Sequence, residues 1–286
     1  MIIITGANGQ LGRAVVERLI DRVPVEQIGV SVRDPQQAKP LAERGVRVRR
    51  GDFADPASLA HAFQGASQVL VVSPDTVGEM TVRLNRAAID AAVAAGAGRV
   101  LYTSHMGSNP CSPFPPMPDH AATESALAAA GVAFTALRNG FYAASAVMLL
   151  GAAVETGELA VPADGPVAWT AHADLAEAAV IALTGDRLDG LTPALTGSEA
   201  IDMAGVAAIA SDVTGRPIRH VVVSDEEYRA GLIAHGVPEP AAEMLLGLFA
   251  ASRKGEFAPA DPTLARLIGR APQTVRDVLA AAVGRR

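Results

Sequence analysis

Ile2, Ile3, Ile4 and Thr5 lead without a break into Gly6-Ala7-Asn8-Gly9-Gln10-Leu11-Gly12, and residues 11–20 then repeat apolar positions at helical spacing. A short β-branched run, a Gly-x-x-Gly-x-x-Gly turn and a helix, in that order, leave little choice of local fold. Gly6 permits the tight turn, Gly9 lets the backbone approach a ligand, and Gly12 lets the helix pack closely on the strand. A helix starting there turns free N–H groups and a partial positive charge toward whatever the turn holds, which suits a diphosphate. The combination reads as a dinucleotide site; a glycine turn that holds nothing is the plainer alternative. No Gly-Lys-Ser/Thr follows, so a P-loop is excluded.

Short β-branched runs at 2–4, 28–32, 46–49, 69–72, 100–103 and 134–137 alternate with helical patterns at 11–20, 56–63, 80–95 and 121–130. That rhythm predicts an α/β fold built on a doubly wound parallel sheet, the Rossmann arrangement. In the helix over 80–95 the expected buried stripe is Val82, Leu84, Ala88, Ile89 and Val93. Past Tyr142 the rhythm loosens. Helix is expected over 143–154, 173–183, 201–213 and most of 225–283, with short strands at 158–161, 167–169, 191–195 and 218–223. Residues 1–142 therefore read as an NAD(P)-binding domain to which segments around 167–196 return. Residues 143–286 read as a smaller, mostly helical substrate lobe, interleaved with it and walling one side of a cleft at the sheet's C-terminal edge. Asp174 is expected to anchor the N-terminus of its helix.

With 30 acidic residues against 24 Lys and Arg, a net charge of −6 and no basic block, the chain lacks the surface that non-specific nucleic-acid binding needs. A single cysteine, Cys111, excludes an internal disulfide and points to a reducing cytoplasm. The N-terminus has neither the basic start nor the long apolar run of a signal peptide or membrane span, so no membrane association is expected. The six histidines fall at no metal-ligand spacing, and no metal is expected. No Gly-x-Ser-x-Gly elbow is present, which removes the commonest α/β hydrolase reading.

The end of the second strand decides between two dinucleotides. An acidic residue there bonds the ribose hydroxyls of NAD, whereas an arginine takes the 2′-phosphate of NADP. Here Arg33 stands at that position with Asp34 beside it, and a guanidinium matches a phosphate with paired, charge-assisted hydrogen bonds. NADP(H) is favoured over NAD(H), and a register shift of one residue would bring Asp34 forward and reverse the preference. Gly51-Asp52-Phe53 closes the third strand, where the adenine lies in such folds. Asp52 either serves that pocket or caps the helix from Pro56, although Asp55 is better placed as the cap.

Taken together, TGANGQLG (5–12), VRDPQQA (32–38), GDFADPASL (51–59), YTS (102–104), HAATE (120–124) and LRNGFY (137–142) resemble the NmrA-like family of atypical short-chain dehydrogenase/reductases, in particular its quinone and triphenylmethane-dye reductases. VPEP (237–240), SRKGEF (252–257) and RLIGR (266–270) extend the likeness over nearly the whole chain. The resemblance implies that Gly6, Asn8, Gly9, Gln10, Leu11 and Gly12 line the diphosphate and that Arg33 meets the 2′-phosphate. It puts Phe53 by the adenine, Ser73 and Pro74 by the ribose, and Thr103 and Ser104 toward the nicotinamide. Asn139 and Tyr142 would face nicotinamide and substrate. The chain departs from the family's usual pattern at Gln37, often Lys, and at Phe141, often Trp.

Many short-chain reductases carry Tyr-x-x-x-Lys on the helix after the fifth strand, the Tyr protonating the substrate oxygen as hydride arrives. This chain has His120-Ala-Ala-Thr-Glu124 there, one helical turn apart and so on one face. Quinones and similar conjugated acceptors suit such a site, because incoming charge spreads over the π-system. The proton then comes from solvent or from His120, whose ordinary pKa of about 6.5 makes it a usable donor. His120 is equally readable as a helix-start residue, and Glu124 as a salt-bridged carboxylate. Tyr102 reads as sheet core and Cys111 as incidental. The five prolines of 108–118 keep that segment out of any sheet and suggest a semi-rigid cover over the cleft, with Phe114 and Met117 beneath, or else an ordinary surface loop.

The expected activity is hydride transfer from NADPH to a quinone or similar electron-poor aromatic acceptor. Two alternatives stand beside it: an NADP(H)-binding redox sensor without turnover that regulates a partner protein, and a biosynthetic imine or carbonyl reductase with His120 as proton donor. A homodimer is the expectation for a protein of this kind.

Overall fold

The structure, a computed structural model, describes residues 1–283. In chain order it runs β1 (Ile2–Thr5), α1 (Gln10–Ile20), β2 (Ile28–Val32), α2 (Lys39–Glu43), β3 (Arg47–Arg50), α3 (Pro56–Ala62), β4 (Gln68–Val71), α4 (Glu79–Ala94), β5 (Arg99–His105), α5 (Pro116–Ala128) and β6 (Ala133–Asn139). The second half continues with β7 (Phe141–Tyr142), α6 (Ala143–Leu150), α7 (Ala153–Thr156), β8 (Glu158–Pro162), β9 (Trp169–Thr170), α8 (His172–Thr184) and β10 (Ala194–Leu195). It closes with α9 (Met203–Thr214), β11 (Arg219–Val223), α10 (Asp225–Ala234), α11 (Glu239–Arg253), α12 (Thr263–Ile268) and α13 (Val275–Val283).

Among the described residues, seven strands make one sheet in the order β10-β6-β5-β4-β1-β2-β3, and every pairing in it is parallel. This is the doubly wound Rossmann order with β10 added, and the chain reverses direction across the sheet between β1 and β4. Both faces are covered, so the inner strands are apolar throughout rather than alternating. Ile2 and Ile4 point to one face, where they pack with α1, α8 and Leu264 of α12. Ile3 points to the other, among Leu59, Phe63, Ile89 and Leu127 of α3, α4 and α5. A third cluster gathers Phe114, Phe141, Trp169, Phe249 and Phe257 with residues of α6, α9, α11 and α13. Beside it, β8 pairs with β11 and β7 with β9 in two small sheets.

Local chemistry sets the element ends. Asp55 caps α3 by accepting the Ser58 N–H, with Pro56 at the first helical position. Asp202 caps α9 in the same way, and Ser224 with Glu227 forms a reciprocal capping box on α10. Several expectations are corrected. Helix α5 begins at Pro116, not at residue 121, because prolines in a first turn forfeit only N–H groups that a helix leaves unpaired anyway. The buried face of α4 is Thr81, Asn85, Ala88, Ile89 and Ala92, while Val93 is exposed. The helix expected over 143–154 breaks at Gly151 into α6 and α7. Asp174 does not cap α8: its fully buried carboxylate accepts from Arg270 Nη2 at 2.5 Å and from the Gln273 N–H at 2.6 Å, tying the segment after α12 to the sheet layer.

Candidate active site

The glycine turn lies at the C-terminal end of β1, beside the point where strand order reverses. Gly6 has φ +63, a left-handed conformation that glycine adopts freely, and a Cβ on Gly12 would overlap the Gly6 carbonyl. The turn therefore cannot form with side chains at these positions. Helix α1 starts at the cap residue Gly9 with no side-chain cap and no acidic residue in its first turn. Its N-terminal N–H groups and partial positive charge thus face outward for an anion. The Asn8 amide donates to the Asp34 carbonyl at 3.0 Å, pinning the turn to the end of β2, and its own buried oxygen is unpaired.

Asp34 and Arg33 separate cleanly. The Asp34 carboxylate accepts from the Gln36 N–H and from Gln37 Nε2, both at 3.0 Å, so it caps the short turn at Pro35–Ala38. Arg33 is exposed and pairs with no described residue. At this position the chain offers a free guanidinium and a carboxylate already engaged. Phe53 is half-buried against the α3 and α4 side of the sheet. Asp52 accepts from the Ala54 N–H at 3.0 Å and so shapes its own turn.

Across the sheet's C-terminal edge, Thr103 Oγ1 accepts the Ser73 N–H at 2.9 Å, joining the ends of β4 and β5. Glu124 receives Arg138 through two contacts, 2.9 Å from Nε and 2.6 Å from Nη2, and Ser104 Oγ at 2.5 Å. Burial pushes the Glu124 carboxyl up, but the Arg138 and Ser104 bonds outweigh it, and the net pKa is lowered. Glu124 is therefore the salt-bridged carboxylate of the two readings.

His120, one turn earlier, faces inward. Its Nδ1 lies 2.8 Å from the Tyr102 hydroxyl, whose oxygen also receives Asn85 Nδ2 at 3.3 Å. Burial drives the His120 pKa down to about 4 against a weaker upward pull from Glu124, so the ring is neutral at pH 7. The ready imidazolium expected from the sequence is not what this environment provides. His105, at the end of β5, is neutral too: burial and His120 take it down to about 3, and its Nδ1 accepts the Gly107 N–H at 3.0 Å.

The remaining wall comes from the end of β6. Both amide atoms of Asn139 are buried without a hydrogen-bond partner; the neighbouring Tyr142 hydroxyl feels that amide, but the pair lacks bonding geometry. The Tyr142 ring lies on His172, centroids 4.2 Å apart. The proline segment does not stand over the cleft as a free cover. Phe114 and Met117 are buried, Phe114 against Phe141 and Phe257, and Pro113 rests on α11 at Gly247, where a Cβ would come within 2.7 Å of the Pro113 carbonyl oxygen. The prolines stiffen a strap whose apolar side is already packed.

Residues 1–276 match the NmrA-like family. The chain belongs to that family. It is 34% identical to quinone oxidoreductase 2 of Escherichia coli over 97% of this chain and 96% of that one. It is 30% identical to the NAD(P)H azoreductase of Xenophilus azovorans over the same shares of the two chains. The structure superposes on the NADPH complex of the E. coli NADPH-dependent quinone oxidoreductase with a TM-score of 0.94, covering 99% of this chain and 100% of that one. It superposes on the NADP(H) complex of the Citrobacter triphenylmethane reductase at 0.92, with 33% identity over 99% and 100% of the two chains.

In this NmrA-like chain the candidate residues fall in three groups along one edge of the sheet. Gly6, Asn8, Gly9, Gln10, Leu11, Gly12 and Arg33 surround β1 and β2. Phe53 follows β3, while Ser73, Pro74, Thr103 and Ser104 end β4 and β5. His120 lies in the first half of α5, Asn139 at the end of β6 and Tyr142 in β7. The structure adds Asn85 and His105 to the surroundings of His120, neither of which the sequence singled out. Asn85 had no signal beyond its polarity inside an otherwise apolar helical pattern; Tyr102 is fully buried in the sheet core, as expected, with its hydroxyl turned to His120 and Asn85. Among the described residues no group of three or more His, Cys, Asp or Glu is arranged to hold a metal ion, and no helix is long and apolar enough to cross a membrane.

Proposed function

We propose that this protein binds NADPH and transfers hydride to a quinone or a similarly conjugated, electron-poor aromatic acceptor. The observation that carries the reading is the unpaired Arg33 beside an uncapped helix terminus, with Asp34 engaged in its own turn. That donor set fits a phosphorylated dinucleotide: helix N–H groups and the glycine cradle for the diphosphate, a guanidinium for the 2′-phosphate. The similarity to NADPH-bound quinone and dye reductases supports the same assignment.

When bound, NADPH supplies the hydride. Residues 1–142 with the returning segments around 167–196 hold the cofactor in this reading, and residues 143–283 form the acceptor wall, 284–286 lying outside the described residues. Gly6 to Gly12 fix the diphosphate. Ser73, Pro74 and Phe53 border the ribose and adenine. Thr103 and Ser104 are held by Ser73 and Glu124, and the unpaired Asn139 amide orients the reactive ring together with Tyr142. The aromatic cluster of Phe114, Phe141 and Phe257 backs the site and excludes water from its rear. The reading includes a cytoplasmic homodimer that binds no nucleic acid.

The test is to follow the nicotinamide absorbance of NADPH mixed with purified protein and a panel of quinones, azo and triphenylmethane dyes, enones and imines. Oxidation with the quinones or dyes is expected. Tight NADP(H) binding with no oxidation by any acceptor sinks the enzyme reading in favour of a sensor.

A further inference from the structure

The two nitrogens of His120 have different surroundings. Nδ1 is 2.8 Å from the Tyr102 hydroxyl on β5, inside the sheet–helix interface. Nε2 makes no hydrogen bond to a described residue and is not sealed from solvent. A hydroxyl has one proton to give. Ser73 Oγ is its other neighbour, at 3.4 Å, and the hydroxyl oxygen is already occupied as an acceptor by Asn85 Nδ2 at 3.3 Å. Asn85 is fixed in that role: the same Nδ2 reaches Thr123 Oγ1 at 3.4 Å, whose own proton goes to the Asp119 carbonyl at 2.8 Å. Of the two acceptors in reach of that proton, His120 Nδ1 at 2.8 Å is nearer than Ser73 Oγ at 3.4 Å, and a proton given to His120 leaves the imidazole proton on the outer nitrogen.

We propose that Tyr102 is a positioning residue: its hydroxyl donates to His120 Nδ1 and holds the ring as a neutral imidazole, so that Nε2–H donates a hydrogen bond to the acceptor oxygen as negative charge develops there. This rests on the reductase reading above. His120 gives up no proton in the step; it stabilises the oxyanion, and the proton that completes the reduction comes from water. A neutral imidazole can polarise a carbonyl in this way, and one donor aimed at a developing oxyanion contributes about 10² to 10³ in kcat.

The surroundings agree. The charged groups near the ring are all engaged elsewhere: Glu124 on the same helix with Arg138 of β6 and Ser104, and Asp119 with the Gly78 N–H. His105, the remaining titratable neighbour, is neutral and accepts at its own Nδ1 from Gly107. Burial keeps the His120 ring uncharged at pH 7 and raises the Tyr102 pKa, so the phenol retains the proton it donates.

Long-range proton–nitrogen correlation spectra of histidine-labelled protein report the tautomer directly, without turnover. At pH 7 His120 is expected as the Nε2–H form and should not titrate above pH 5. Tyr102→Phe should shift it to a mixture of tautomers and lower kcat about tenfold, with the NADPH dissociation constant unchanged. Two variants keep the proposal testable if Tyr102→Phe fails to fold. A glutamine amide can place an N–H near the Nε2 position, so His120→Gln should lose about threefold in kcat and His120→Ala about a hundredfold. The rate of His120→Gln should be flat from pH 5 to 8. Equal losses in the two variants, a His120 proton on Nδ1, or a wild-type rate that falls above pH 5 with a His120-dependent pKa overturn the tautomer proposal while leaving the reductase reading intact. Absence of turnover by the wild-type protein overturns the reductase reading itself.

Discussion

Two residues carry most of the cofactor argument. Arg33→Ala removes the free guanidinium and should weaken NADPH binding about 10- to 100-fold while leaving NADH binding within about twofold, as fluorescence titration of each nucleotide would show. Equal losses for both nucleotides would remove Arg33 from the phosphate pocket. The sequence placed Arg33 and Asp34 together but left their roles open; an Asp before Pro is a turn-capping pattern, and the cap is what frees the arginine. His105 and His120 carry a prediction about stability. Their folded pKa values lie near 3 and 4, below the ordinary 6.5, so the unfolded chain takes up protons first as pH falls. Stability is fully present above about pH 6.5 and falls below it, by about 1.4 kcal/mol per pH unit for each ring that only the unfolded chain protonates. Urea midpoints at pH 7.5 and 5 measure the slope, and His120→Gln should remove about one ring's share of it. These pKa values were not legible in the sequence, because they arise from burial at an interface between β5, α5 and the aromatic cluster.

Helix α5 was recognisable by pattern but not by boundary, since a proline cluster ordinarily marks loop and here supplies the first helical turn. Its register was the better inference: residues four apart do share a face, and they divide the work, His120 toward Tyr102 and Glu124 toward Arg138. The Glu124 clamp joins α5 to β6 and holds Ser104 of β5. Glu124→Gln leaves a half-buried Arg138 cation without its counter-charge and should cost about 2 kcal/mol in denaturant unfolding at pH 7, less than a fully buried pair because Arg138 is 33% exposed on its side chain. The difference should shrink in acid, where the wild-type carboxyl also becomes protonated as pH falls through its lowered pKa. Helix α4 was misread for a related reason. Its apolar stripe gives way at Asn85, because that face must satisfy the buried phenol of Tyr102, and such a pairing between distant segments leaves no periodic trace.

The sheet was the most legible part of the molecule, since a βα rhythm with one turn chemistry repeated along it admits few topologies. The second half was legible only as pieces, because four of its short strands pair in two small sheets while β10 returns to the large one, and its helices serve two different cores. The tether at Asp174 illustrates the difficulty: its partners lie 96 and 99 residues away. Asp174→Asn removes the charge from a buried carboxylate whose partner Arg270 is 47% exposed and should cost about 2 kcal/mol. Hydrogen exchange should quicken first over residues 263–283, and protection there equal to wild type would show that the tether is redundant.

The position of the central strand also governs the order in which the molecule comes into being. The residues of the glycine turn, and Val72 behind Gly6, all precede residue 73, whereas the aromatic wall waits for Phe257 and the tether for Gln273. On the proposed reading, a nascent chain therefore presents the residues that grip the diphosphate well before those that wall the acceptor.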